Sequence, residues 1–225
     1  MQLLRSDEVQ SDTLNADVTA NAHFLDMGGL DTPAQTDEGL LDFELMARIG
    51  AGEHEAFRQL IERHQDAVIG TVAKMLGNPS DAQDIAQQVF LRLWRNAKRY
   101  RPDAKFTTYL FTITRNLVFN ESRRRKRKKE LSADEREAHS HHLIAECPDR
   151  QPDAQLLQSE LQQAVDAAIA SLPEIQRMAV ILRRYEQLSY EEIATTLRLS
   201  VSAVKSLLFR ARTSLREALR GYLEG

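Results

Sequence analysis

The chain has 225 residues, with 30 Lys and Arg residues against 33 Asp and Glu residues and a formal net charge of −3. Its single cysteine, Cys147, excludes an intrachain disulfide and indicates a reducing compartment, and the lack of any run of about 18 consecutive apolar residues excludes a transmembrane helix. No apolar run follows a basic start at the N-terminus, so we expect no secretory signal, no membrane insertion and a cytoplasmic location.

The small net charge conceals a strong separation of charge along the chain. Residues 1–47 have a net charge of −9, residues 48–129 of +10, residues 130–165 of −6 and residues 166–225 of +2. A basic segment between acidic ones indicates a module that binds a polyanion. Its strongest run is seven consecutive bases at residues 123–129, although a solvated helix end or a localisation signal would look the same.

The chain is predicted to contain two compact domains and two irregular segments. Residues 1–39 are predicted to be an acidic, disordered extension, because their apolar residues follow no sustained period. Residues 130–153 are charged, contain two prolines and are predicted to be a linker. Residues 40–129 and 154–225 are predicted to fold as two small helical domains, which makes the fold class all-α.

Two helices are predicted first in the N-terminal domain. Apolar residues recur at intervals of three and four over residues 57–75, which indicates one face of a long helix. The Gly-Asn-Pro sequence at residues 77–79 is typical of a helix end. Ser80 or Asp81 is then expected to cap a second helix, whose apolar stripe covers residues 82–94.

The next segment, residues 106–117, is rich in β-branched and aromatic side chains, a composition that favours a strand. Its apolar residues nevertheless recur with helical spacing, starting from Phe106. A lone strand would also have no partner to pair with in a helical domain. We therefore predict a helix, with Phe106 and Tyr109 in the core.

Four helices are predicted in the C-terminal domain. Residues 171–174 and residues 189–192 each have the spacing of a capping box, and Ser200 is placed to cap the last helix. The helices that begin after residues 189 and 200 are separated by a turn of about three residues, which indicates a helix-turn-helix.

One face of the last helix is polar and cationic. Hydroxyls and long cations on such a face suit phosphates and base edges in the major groove, although a plain antiparallel helix pair with a solvated face is the alternative. The turn has Arg198 where glycine is common, and a left-handed backbone there would cost roughly 1 kcal/mol. The residues on the polar face are Ser202, Lys205, Ser206, Phe209, Arg210 and Arg212.

Two motifs follow one another along the chain. The first is DAQDIAQQVFLRLW at residues 81–94, followed by Tyr100, Phe106, Tyr109-Leu110 and Arg115-Asn116. The second is Leu172-Pro173, then LSYEEIA at residues 188–194, then Val204-Lys205-Ser206 and Arg210-Ala211-Arg212. With these motifs the chain closely resembles bacterial sigma factors of the extracytoplasmic-function (ECF) group over residues 44–127 and 161–222.

The resemblance implies two helical domains, sigma regions 2 and 4, joined by a flexible linker. It also implies several partners: core RNA polymerase, through its β′ clamp helices and its β subunit; promoter DNA, at the −10 and −35 elements; and an anti-sigma factor. The helix at residues 81–94 corresponds to the one that docks on polymerase, with Asp84, Gln87, Gln88, Leu91 and Trp94 as candidates. Members of the family often have Glu at one of the two glutamine positions, and Trp94 is explained almost equally well as a core residue.

The resemblance also assigns DNA-binding residues. Melted promoter bases stack on aromatic rings and are read by polar and cationic groups. The −10 candidates are Lys98, Arg99, Tyr100, Lys105, Thr107, Thr108, Thr112, Arg115 and Asn116. The phosphate-binding candidates in the basic run are Arg123, Arg124, Arg125 and Arg127, and the −35 candidates are Ser202, Lys205, Ser206, Arg210 and Arg212.

Two weaker signals lie in the irregular segments. His139, His141, His142 and Cys147 are close in sequence, but their spacing matches no standard zinc site, so we predict no metal site and no cofactor. The acidic residues 1–47 either compete with DNA for the basic domain or solvate the chain.

The resulting hypothesis is a promoter-specificity subunit without catalysis of its own. The alternative is a stand-alone helix-turn-helix regulator that binds duplex DNA, which would leave residues 81–116 unexplained. An enzyme is not supported, because the sequence has no phosphate-binding glycine loop, no nucleophile elbow and no recognisable metal-ligand spacing.

Overall fold

The computed structural model of the chain describes residues 37–133 and 152–223. All regular structure in these ranges is helical, which confirms the predicted all-α fold. One 3₁₀ turn, Ala97–Arg99, follows the third helix. The α-helices of these ranges are α1 (Asp37–Gly50), α2 (His54–Leu76), α3 (Pro79–Asn96), α4 (Phe106–Ala133), α5 (Pro152–Ser171), α6 (Glu174–Arg184), α7 (Tyr190–Leu197), α8 (Val201–Ala218) and α9 (Arg220–Leu223).

Helices α1 to α4 form a first body around one apolar core. The predicted stripe on α2 is confirmed, since Leu60, Val68 and Val72 are fully buried. A buried polar contact ties α1 to α2: the Asp42 carboxylate accepts hydrogen bonds from Arg63 Nε at 3.2 Å and pairs with His64 Nε2 at 3.0 Å. Burying a carboxylate is favourable only when such partners are present, so this pair fixes how α1 packs.

In the turn between α2 and α3, α2 ends as predicted, but the residue that caps α3 differs from the prediction. Gly77 adopts a left-handed conformation (φ 71°) and donates its N–H to the carbonyl of Ala73, which ends α2. The predicted cap at Ser80 or Asp81 is wrong. Asn78 is the cap, and its side-chain oxygen accepts from the Ser80 N–H at 3.0 Å, because Pro79 needs no hydrogen-bond partner and takes the first helical position.

The ambiguous segment at residues 106–117 is helical, as predicted, and forms the start of α4. Phe106, Leu110 and Val118 are buried along one side of it, while Tyr109 is half-buried. The hydroxyl of Thr114 donates to the carbonyl of Leu110 at 3.0 Å, which satisfies a buried polar group inside the helix. The helix continues through the basic run, so its cations project from a continuous helix.

Helices α5 to α9 form a second body, with one short helix more than predicted. Ser189 makes the predicted capping box with Glu192, and Ser200 caps α8 by accepting from the Ala203 N–H at 3.2 Å. The capping box predicted for residues 171–174 is wrong. Pro173 occupies the cap position of α6, and the Ser171 hydroxyl instead donates back to the carbonyl of Ala168 at 2.7 Å.

The two bodies pack directly against each other. Helix α7 lies against α4, and α6 and α5 lie against α2. The chain between them, residues 134–151, is outside the described ranges. In the part of the chain that is described, no helix is long and apolar enough to cross a membrane.

Arg198, in the turn between α7 and α8, has the left-handed backbone that the sequence placed in question (φ 58°, ψ 49°). We predict that Arg198→Gly is more stable to urea than Arg198→Ala by about 1 kcal/mol, because both lose the guanidinium but only glycine relieves the backbone strain. Thr195→Gly, in the exposed interior of α7, is the control and should be destabilised by a few tenths of a kcal/mol, because glycine there relieves no strain. Equal urea midpoints for Arg198→Gly and Arg198→Ala would show that the backbone at residue 198 is not strained.

Candidate docking and nucleic-acid-binding surfaces

One exposed face of α3 brings together four of the five predicted docking residues. Asp84, Gln87, Gln88 and Leu91 are all exposed, because they lie opposite the buried residues of the helix. Leu91 retains 50% of its surface in solvent, an unusual exposure for a leucine at the centre of a helix. The face is therefore a polar surface with one apolar residue at its centre.

An open groove runs beside this face, between α2 and α3. It has a volume of about 400 Å³, and its walls combine aromatic and aliphatic side chains with glutamines. Phe90 and Leu91 from α3 and Phe57, Ile61 and Ile69 from α2 supply its apolar walls. The groove extends the exposed face of α3 with an apolar strip between glutamines, a surface of the kind on which an amphipathic helix can dock.

Trp94, the fifth predicted docking residue, packs within the first body. Its indole ring stacks on His54 and lies against Phe57, each at 4.9 Å between ring centroids. The side chain remains partly exposed. Trp94 therefore packs α3 against α2 and has only part of its surface available to a partner.

The loop before α4 is organised around Tyr100. Its ring lies 5.0 Å from Tyr109, 6.3 Å from Phe106 and 6.4 Å from Phe43. Burial raises the pKa of Tyr100 to about 12, so the phenol stays neutral, while Lys98 and Arg99 of the same loop are exposed. A second open groove of about 410 Å³ lies between this loop and α1.

The threonines at the start of α4 are not equally accessible. Thr107 and Thr112 are partly exposed, and the Thr112 hydroxyl donates to the carbonyl of Thr108 at 2.7 Å. Thr108 is only 2% exposed, and its hydroxyl has no hydrogen-bond partner among the described residues. Of the three predicted −10 threonines, Thr108 is therefore the one that this arrangement does not offer to a ligand.

Arg115 and Asn116 are hydrogen-bonded to each other on α4. Arg115 Nη1 donates to Asn116 Oδ1 at 2.8 Å, and its guanidinium lies 5.0 Å from the ring of Phe119. Burial, and then the nearby charges of Arg198 and Arg123, lower the pKa of Arg115. A guanidinium beside an aromatic ring is a combination that can stack with a nucleic-acid base.

The arginines of the basic run divide into two groups. Arg123, Arg124 and Arg127 are exposed, and Arg124 also pairs with Glu121 at 2.7 Å. Arg125 is half-buried, because it pairs with Asp81 at 2.5 Å and with Glu121 at 3.0 Å. Arg125 therefore anchors α4 to the start of α3, and the other three remain accessible to phosphates.

The polar face of α8 is open to solvent. Ser202, Lys205, Ser206 and Arg210 are exposed and Arg212 is partly exposed, while Val204 and Leu208 are buried against the rest of the body. Phe209 is 70% exposed in the middle of this face. The candidate set derived from the sequence omits Phe209, although helical spacing places it between Lys205 and Arg212.

The predicted absence of a metal site concerns residues outside the structure. His139, His141, His142 and Cys147 lie beyond the described ranges. Within those ranges, no three His, Cys, Asp or Glu side chains are grouped closely enough to hold a metal ion.

Comparison with known families matches both bodies. Residues 60–128 match the model of Sigma-70 region 2, and residues 162–215 match that of Sigma-70, region 4. The chain is 32% identical to the RNA polymerase sigma-H factor of Pseudomonas aeruginosa over 186 residues, which cover 81% of this chain and 95% of that protein. It is 35% identical to the ECF RNA polymerase sigma-E factor of Escherichia coli K12 over 182 residues, or 79% and 94% of the two chains.

Two solved structures resemble this one. CnrH, in complex with the cytosolic domain of CnrY, superimposes with a TM-score of 0.58 at 25% identity and covers 80% of this chain and 98% of its own. The sigma factor RpoE from Bartonella quintana, in complex with the anti-sigma factor NepR, gives a TM-score of 0.60 at 24% identity, over 73% and 96% of the two chains, and shows a shared fold.

The burial of Tyr100 leads to a prediction about alkaline stability. The folded pKa of its phenol is about 12, above the ordinary value of 10.0, so the stability that the neutral phenol contributes is complete below pH 10 and is lost between pH 10 and 12. Between pH 8 and pH 11 the urea midpoint of the wild type should fall further than that of Tyr100→Phe. Tyr222→Phe, at an exposed position, should behave as the wild type does. A fall of equal size in Tyr100→Phe would show that the phenol is solvated.

Proposed function

This chain belongs to the ECF group of RNA polymerase sigma factors, and we propose that it binds core polymerase through the exposed face of α3 while α4 and α8 read the promoter. The observation that supports this assignment of roles is the presence of three separate open or polar faces on one chain: a helix-docking face, an aromatic and cationic loop, and a helix-turn-helix face. Docking to polymerase would raise the effective concentration of both DNA-reading faces at the promoter. The chain would contribute specificity and no catalytic group.

The docking proposal rests on the chemistry of α3. Leu91 lies at the centre of the face, and the neighbouring groove offers an apolar strip flanked by glutamine amides. An amphipathic helix of the polymerase β′ subunit would bury Leu91 and exchange water for the amides of Gln87 and Gln88. Contacts between the second body and the β subunit would complete the holoenzyme.

The −10 proposal rests on the loop around Tyr100 and on the start of α4. Lys98 and Arg99 are exposed beside an aromatic cluster, a combination that holds single-stranded bases by stacking and by charge. Arg115 and Asn116 add a cation and an amide that would read a base edge. Arg123, Arg124 and Arg127 would hold phosphates without regard to sequence.

The −35 proposal rests on α8. Its exposed serines, Lys205 and Arg210 would face the major groove, where arginine makes paired hydrogen bonds to guanine. The net charge of residues 166–225 is only about +2, so the isolated body should bind duplex DNA weakly, and polymerase docking should supply the rest of the affinity.

We also propose an anti-sigma partner and a cytoplasmic location. CnrH is bound to the cytosolic domain of CnrY, and the sigma factor RpoE of Bartonella quintana to the anti-sigma factor NepR. A partner of that kind would act where polymerase is present, which is the cytoplasm.

The first test is run-off transcription with purified core polymerase. The wild-type chain should enable core polymerase to initiate at a promoter, whereas a stand-alone regulator would not. Leu91→Asp should reduce both holoenzyme formation and run-off product at least tenfold, because it places a carboxylate in the centre of the docking face. Leu40→Asp, at a leucine that is 57% exposed on α1, is the matched control and should be nearly as active as the wild type. No initiation with the wild type would overturn the proposed function.

A second prediction separates the two DNA-reading faces. Arg210→Ala should reduce initiation about tenfold or more at a promoter that depends on its −35 element, since a paired arginine–base contact contributes roughly 1–3 kcal/mol. Polymerase binding should not change. Arg58→Ala, which removes an exposed cation from α2, should leave initiation unaffected. If Arg58→Ala reduces initiation as much as Arg210→Ala does, the loss reflects the removal of any positive charge and not a contact between Arg210 and a base.

A further inference from the structure

Two cations from different helices lie over the ring of Tyr190, the first residue of α7. The guanidinium of Arg183, near the end of α6, lies 5.0 Å from the centre of the ring, and Lys205 Nζ on α8 lies 5.8 Å from it. Both distances are within the range in which a cation is attracted to an aromatic ring. Three consecutive helices of the second body therefore meet at one tyrosine side chain.

The ring and one of its two cations are held in place by other contacts. Arg183 Nη1 donates to the carbonyl of Leu188 at 2.9 Å, and the Arg183 side chain is half-buried. The backbone at Tyr190 is constrained as well, because Ser189 and Glu192 form the capping box at the start of α7. The half-buried ring of Tyr190 is therefore a fixed support for the second cation.

Lys205 is the cation that has freedom to move. It is exposed on the polar face of α8, and no carboxylate in the described ranges pairs with it. A long, flexible side chain at such a position samples many rotamers, and attraction to a ring favours those in which the ammonium group points towards α7. An ammonium group has three donors, so a ring on one side of it leaves N–H groups that can bind DNA.

The contact is specific to one of the proposed −35 residues. Arg210 lies on the same polar face and is exposed, but no ion pair or ring contact holds it among the residues that the structure describes. The Tyr190 ring therefore acts on Lys205 and does not act on Arg210. This difference allows an effect through Lys205 to be separated from a general effect on the body.

We propose that Tyr190 is a positioning residue for −35 recognition, whose ring, supported by Arg183, holds the ammonium group of Lys205 where it binds DNA. The inference rests on the proposed function of α8. A side chain that is aligned before binding loses less conformational freedom on contact with a base edge or a phosphate. Removal of the ring therefore weakens −35 binding only while Lys205 is present.

The test is a double-mutant cycle on holoenzyme assembled from core polymerase and the full-length factor. The probe is a fluorescent duplex that contains the −35 element of a promoter transcribed by the holoenzyme and lacks the −10 element. Its affinity is measured by fluorescence anisotropy and compared with that of a duplex whose −35 element is scrambled. The variants are Tyr190→Leu, Lys205→Met and the two together, because methionine keeps an apolar stem and removes the charge.

Two control variants separate the ring from the rest of the side chain and from the fold. Tyr190→Phe keeps the ring and removes the hydroxyl. Tyr185→Leu makes the same change as Tyr190→Leu at another half-buried tyrosine of the second body, whose cation, Lys74, lies 4.5 Å from its ring centre and belongs to α2. Both controls should bind the −35 duplex as the wild type does.

We expect Tyr190→Leu to weaken binding of the −35 duplex about threefold, as loss of an exposed cation–ring contact would. The same change should have no effect when Lys205→Met is present, and its full effect when Arg210→Ala is present. Tyr190→Leu and Lys205→Met should also share one signature: either relaxed specificity at the same base pair, or an equally reduced salt dependence of binding.

Three results would overturn the positioning role: no loss with Tyr190→Leu, an equal loss whether or not Lys205 is present, or an equal loss with Tyr190→Phe, which would assign the effect to the hydroxyl. A loss of the same size with Tyr185→Leu would show that the change acts on the fold of the second body and would also overturn it. Wild-type holoenzyme that binds the −35 and scrambled duplexes equally would instead contradict the proposed function of α8, and the positioning role would fall with it.

Discussion

The packing of α4 is the constraint on which the rest of the structure depends. Phe106, Leu110 and Val118 bury one side of this helix in the first body, and Arg125 fastens it to the start of α3. The opposite side of the same turns presents Arg115 and Asn116. Because the core residues and the proposed reading residues belong to one rigid helix, the position of the reading groups is set by core packing, which is far more restrictive than a loop would be.

The second body packs against the same part of the first body, so its position affects the proposed reading groups. Lys105, just before α4, and Arg115 on α4 both have a partner on α7, and the proposed function gives both of them a DNA partner in a promoter complex. Two of the proposed −10 side chains are therefore held in place by contacts with the second body.

Helical periodicity was enough to predict the all-α fold, the helix at residues 106–117 and the exposed faces of α3 and α8, because which side of a helix is buried depends on local spacing. The caps were harder to predict: Asn78 replaces Ser80 or Asp81, and Ser171 bonds backwards, since a proline next to a helix start shifts where the helix begins. The burial of Thr108 and the contacts of Arg115 with α7 depend on how distant segments pack, and no local pattern encodes that packing.

The most direct measurement is the position of a photochemical crosslink between promoter DNA and the factor. A photoreactive base placed in the −10 element of the non-template strand should crosslink to residues 98–116 in the holoenzyme, as identified by mass spectrometry, and should give almost no adduct with the free factor at the same concentration. Adducts confined to α7 and α8 would contradict the assignment of −10 reading to the start of α4. Equal crosslinking with and without core polymerase would contradict the proposal that docking on polymerase brings this face to the promoter.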